Sequence, residues 1–133
     1  FLCGDFNEPS HLDWTDRSAA AGFHFKTMVP WPCSSKVIAS GMKDSLRVVY
    51  PDECDFPAVT WTTVPGKGIG GAADVINEVH DRIDFVYHTG GDIRTVAAEI
   101  IGEDEKHSDL VVESYPSDHR AVVVRFCLNL VLN

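Results

Sequence analysis

The chain is short of basic residues: 11 Lys and Arg stand against 20 Asp and Glu, for a net charge of -9. Proteins that hold nucleic acid without regard to sequence do so with Lys and Arg on phosphates, so these 133 residues alone offer a poor grip on a polyanion. Long apolar runs are also missing. None approaches the ~18 residues of a membrane-spanning helix, which excludes such a span. The four cysteines, Cys3, Cys33, Cys54 and Cys127, form no C-x-x-C pair, and no H-E-x-x-H helix accompanies them. That argues against a zinc site. Internal repeats, low-complexity tracts and linkers are absent. At 44% apolar and 23% charged, the composition suits one globular domain rather than a disordered segment.

The periodicity that is present predicts a mixed α/β chain. Residues 1–6 read as a short strand. Ser10-His11-Leu12-Asp13 has the form of a helix N-cap with an acid three residues on, which predicts a helix through Ala21 stopped by Gly22. Val29-Pro30-Trp31-Pro32 is held extended by its prolines. Ser34 or Ser35 caps a short helix ending at Gly41, and residues 44–50 form a helical turn closed by Pro51. A strand over 59–64 leads to a glycine-rich loop over 66–71 and a short helix over 72–79. Residues 82–88 are a strong strand, Gly90 and Gly91 a turn, and 92–101 fit either strand or helix. An acidic run, 103–109, reads as a solvated loop. A brief strand at 111–113 and a long apolar one at 121–132 complete the pattern. Cys3 and Cys127 lie in apolar runs and read as buried thiols; Cys33 and Cys54 are open between free and paired.

Three short segments carry chemistry-bearing side chains at strand ends. In Gly4-Asp5-Phe6-Asn7, strand alternation turns Asp5 and Asn7 one way and Phe6 the other, into the core; a plain turn, which Asp, Asn and Pro9 favour, is the alternative. In Asp81-Arg82-Ile83-Asp84-Phe85-Val86-Tyr87, Ile83, Phe85 and Tyr87 form an apolar face opposite Arg82 and Asp84. An acid there needs a partner, either Arg82 or a histidine that it orients. In Tyr115-Pro116-Ser117-Asp118-His119-Arg120, Asp118 and His119 stand at the start of a buried strand with diverging side chains.

Taken in order, Gly4-Asp5-Phe6-Asn7, Thr60-Trp61, Arg82-Ile83-Asp84 and Ser117-Asp118-His119 resemble the motifs of the endonuclease/exonuclease/phosphatase superfamily. These are the metal-dependent phosphoesterases related to deoxyribonuclease I. The resemblance implies half of a four-layer α/β sandwich, a mostly antiparallel sheet with flanking helices, matching the C-terminal half of the family domain. It implies catalytic Asp5, Asn7, Asp84 and His119, metal-binding Asp118, and substrate contacts from Asn7, Trp61 and Arg82. It further implies Mg²⁺ or Mn²⁺ as cofactor and a phosphate ester, nucleic acid or phospholipid or inositol phosphate, as substrate. The missing N-terminal half of the domain, with its metal-binding Glu, is the implied partner. One half alone would leave an apolar sheet face uncovered.

Two other readings compete. Gly66-x-Gly68-x-x-Gly71 matches the dinucleotide fingerprint in letters, but the acid expected ~20 residues on is not clearly placed, and no Gly-Lys-Ser/Thr follows to make a P-loop. A half-domain could also serve as a non-catalytic binding module.

Overall fold

The computed structural model describes residues 1–63 and 80–129. Its elements are β1 (Leu2–Asp5), α1 (Asp16–Ala20), a 3-10 turn (His24–Lys26), α2 (Pro32–Ala39), β2 (Lys43–Asp44), α3 (Ser45–Val49), β3 (Asp84–His88), β4 (Ile93–Gly102), β5 (Leu110–Val111) and β6 (Ala121–Leu128). The fold is mixed α/β. β3 is the middle strand of an antiparallel sheet ordered β1-β3-β2; β4 is the middle strand of a second sheet, antiparallel to β6 and parallel to β5. No helix among the described residues is long and apolar enough to cross a membrane.

Local chemistry shifts the helix starts from their expected places. Residues 10–13 form a turn, with the amides of Asp13 and Trp14 on the Ser10 carbonyl. The cap of α1 is Thr15, whose hydroxyl accepts from the Ser18 amide at 3.0 Å while Ser18 Oγ accepts from the Thr15 amide at 2.9 Å. A Thr–Ser box does the work for which an acid was expected. Asp13, the acid in question, is drawn away to two arginines. α2 begins at Pro32, in the first turn, where a missing N–H leaves nothing unsatisfied. Ser34 and Ser35 bond back to the Trp31 carbonyl instead of capping, and Glu8 accepts from the Cys33 amide at 2.6 Å. Gly41, with φ +91°, ends the helix as expected.

Residues 92–101 resolve as strand. β4 turns Ala98 and Ile100 inward with Leu46 of α3 and Ala58, flanked by Val49, Tyr50, Phe56, Val122 and Val124. Phe6 packs edge-on against Phe85 and Tyr87. The expected strand over 59–64 is reduced to isolated bridges made by Trp61. Residue 64, the loop 66–71, the helix 72–79 and the strand expected past 129 lie outside the described residues.

Among the described residues, nothing covers the other face of the second sheet. Along β6, Val122, Val124 and Phe126 are half-buried, while Ala121, Val123, Arg125 and Cys127 are exposed. Every residue of β1 is exposed as well. Cys3 and Cys127 are therefore exposed free thiols, not buried ones, because their strands have a second, uncovered side. Cys33 and Cys54 are also free.

A strained turn stands out. His24, Phe25 and Lys26 all have positive φ, 51° to 59°, a region that costs a non-glycine residue about 1–2 kcal/mol. The Lys26 amide closes it on the Phe23 carbonyl at 2.7 Å, and the His24 ring stacks on Trp14 at 4.5 Å.

Candidate active site

The site forms where the end of β1 meets the starts of β3 and β6. The Phe6 amide continues the β1–β3 ladder onto the Ile83 carbonyl at 2.9 Å, which sets Asp5 opposite Asp84. Residues 60–63 then bridge β3 to β6. The Trp61 amide donates to Asp81 O at 2.9 Å, the Arg120 amide to Thr60 O at 2.7 Å, and the Thr63 amide to Asp118 O at 2.9 Å. Segments far apart in the chain thus converge on one rim.

Within that rim the motifs have distinct duties. The Asn7 amide and Nδ2 donate to Asp5 Oδ1 and Oδ2 at 2.7 and 3.1 Å, with Asn7 in a left-handed conformation at φ 49°. The turn and the paired side chains are one device: the turn bends Asn7 back onto the acid. His119 Nδ1 lies 3.0 Å from Asp84 Oδ2. The ligand atoms of Asp5, Asp84 and His119 all fall within 4.8 Å of one another. Burial pulls the His119 pKa down, but the hydrogen bond and charge of Asp84, helped by Asp5 and Asp118, outweigh it, so the imidazole titrates above its ordinary 6.5.

Thr60 contributes something that its place in the motif did not declare. Fully buried, its hydroxyl accepts from the amides of both Ile83 and Asp84, at 3.0 and 3.2 Å, and so fixes the backbone under the acid. Ser117 Oγ accepts from the His119 amide at 3.0 Å, and Thr63 Oγ1 donates to the Ser117 carbonyl at 2.7 Å. Asp118 is exposed, with its carbonyl held by Thr62 Oγ1 at 3.1 Å. Trp61 is half-buried, and its backbone bridges Asp81 to His119.

Arg82 does not join them. It is 3% exposed and belongs to a buried network: its Nε donates to Asp13 Oδ2 at 2.9 Å and its Nη1 to Asp44 Oδ1 at 3.1 Å, while Arg47 Nε donates to Asp13 Oδ1 at 2.7 Å. Its guanidinium also sits over the Phe85 ring at 4.7 Å. Arg82 and Asp84 therefore occupy opposite sides, because Arg82 precedes β3 and two carboxylates draw it inward. The structure thus sets the Arg82 guanidinium among Asp13 and Asp44 and not beside His119. The acidic run also does more than face solvent: Glu103 grips buried Arg120, and Asp109 Oδ2 accepts from the Ile100 amide at 2.7 Å.

Asp5 and Asp118 are exposed carboxylates at one rim, the hard oxygen donors that Mg²⁺ takes, whereas His119 Nδ1 already faces Asp84. Asp52-Glu53-Cys54 and Glu103-Asp104-His107 are two further groupings, but Arg17 holds Asp52, Arg120 holds Glu103 and His107 holds Asp104.

A stretch of 125 residues, 92% of the chain, is 35% identical to an uncharacterized protein of Caenorhabditis elegans, and it spans 38% of that protein's length. No family model matches the chain, and no solved structure does.

Proposed function

We propose that the chain is the C-terminal half of a Mg²⁺- or Mn²⁺-dependent phosphoesterase of the endonuclease/exonuclease/phosphatase type, hydrolysing a phosphodiester or phosphomonoester by in-line attack of water. The observation that supports it most is the meeting of His119 with Asp84 at 3.0 Å and of both with Asp5. Asp5, steadied by Asn7, orients the attacking water. His119 donates a proton to a phosphoryl oxygen as charge builds there, and Asp84 holds its Nδ1–H and keeps the ring protonated. Asp118 and Asp5 would hold the metal, which when bound supplies positive charge against the phosphoryl oxygens. The deoxyribonuclease I-like sandwich is part of this reading. The uncovered face of β6 and β4 is the side on which the other half-domain would pack, and the far longer relative has room for one.

The test is hydrolysis, with Mg²⁺ and with chelator, of plasmid DNA, a nucleotide diester and a phospholipid headgroup. The expected result is Mg²⁺-dependent cleavage of one class, slow in the 133-residue chain by itself, and reduced about 10²–10³-fold by His119→Asn, the loss typical of one preorganised donor. No cleavage of any ester when the other half-domain is present, or an undiminished rate in the variant, overturns the reading. The open face of β4 and β6, where Val96 and Val123 stand exposed, favours a second one, a non-catalytic module that binds a partner there; it gains if partner binding survives while every ester is left intact.

A further inference from the structure

Away from the His119 rim lies a cavity of about 590 Å³, within the size range of small-molecule sites. Phe23, Phe56, Pro57, Ala58 and Val59 are among its lining residues, and most of the lining is apolar. Its charges lean one way. Among the described residues, Asp13, Asp55, Asp109 and Glu105 line it against Arg82 and Lys106 as permanent cations. Arg82 is neutralised by Asp13 and Asp44 and Asp109 accepts from the Ile100 amide, which leaves exposed Asp55 and Glu105 opposed by exposed Lys106. Burial lowers the pKa of the His24 ring, which also lines the cavity, so it adds no competing positive charge at neutral pH. The left-handed turn His24–Lys26 follows directly on Phe23 at the edge of this space, and such strain gathers at ligand clamps.

We propose that this cavity is a binding site for a small organic cation, an aromatic or alkyl amine whose apolar body fills the space between Phe23 and Phe56 and whose ammonium faces Asp55 and Glu105. Aromatic faces attract such a cation as well as its hydrocarbon. A carboxylate ligand of the same shape meets the wrong charge.

Amide-shift NMR titrations with phenethylamine, 2-phenylethanol and phenylacetate test it. Phenethylamine is expected to give saturable shifts confined to residues 23–26, 55–59 and 105–109, with the alcohol weaker and the carboxylate weakest. Asp55→Asn and Glu105→Gln change only surface charge; each should weaken the amine about two- to fivefold, the scale of an exposed charge contact, and leave the alcohol unmoved. Equal affinity for all three probes, shifts centred elsewhere, or no saturation up to millimolar probe overturns the proposal. Persistence of full amine affinity in the double variant does the same.

Discussion

Arg82 and Asp84 are two residues apart, yet they enter opposite kinds of site. Around Arg82, two aspartates and two arginines are buried, and the guanidinium donors point at carboxylates or carbonyls. Around Asp84, one carboxylate and one imidazole are joined by a single 3.0 Å contact, and their side chains remain 22% and 27% exposed. The same chemistry, acid against base, serves stability when saturated and buried, and leaves reactive capacity when open. Charge type alone does not tell the two apart; the number of partners and access to water do.

The largest effect expected from this contrast is on the sealed side. Asp13→Ala takes the carboxylate shared by two buried guanidinium groups and should lower unfolding stability by about 3–5 kcal/mol in urea denaturation. A loss under ~1 kcal/mol would mean that the network is dispensable.

Asp81 sharpens the contrast from a third position. Burial, opposed by the Trp14 indole bond and reinforced by Asp13, pushes its carboxyl up to about 6 from 3.8. A raised acid means that the folded state binds the proton more tightly. Stability from this group is therefore full below pH ~4 and falls as pH rises towards 6, by about 3 kcal/mol at most. Asp81→Asn should flatten that part of the stability profile, and an unchanged slope between pH 4 and 6 would count against the assignment.

On the open side, Asp84→Asn should cost less than ~1 kcal/mol in stability, since the pair is partly exposed. It should nonetheless bring the His119 pKa down in an NMR titration. The sign follows from the raised imidazole: its stabilisation is present below pH 6.5 and lost as pH climbs through the folded value. The smallest effect belongs to Cys3→Ser and Cys127→Ser, both exposed, which should stay within about 0.5 kcal/mol. Both thiols should react with a thiol reagent in the folded chain.

Sequence read β3, α3 and the inward turn of Phe6 correctly because each depends on neighbours in sequence: alternation for β3 and Phe6, a closing proline for α3. It failed where the deciding partner is remote. Asp13 left its helix cap for arginines 34 and 69 residues away. Arg82 left the strand face for two aspartates, and Cys3 and Cys127 stand on a side that no described residue covers. The ambiguity over 92–101 ended as strand because β6 pairs along it, which the segment itself does not record. Asp5, Asn7, Asp84 and His119 were legible as short words in order, whereas the support from Thr60 was visible only as half of Thr-Trp. The amine cavity drew no signal, since Phe23, Phe56 and Glu105 come from three unrelated loops.

The most direct test is a Mn²⁺ titration followed by paramagnetic broadening of amide resonances. The proposed site predicts that Asp5, Asn7, Asp118 and His119 broaden first and together, with residues around Arg82 spared. Broadening that begins instead at residues 52–54 or 103–107 would contradict a single phosphoesterase centre on this rim.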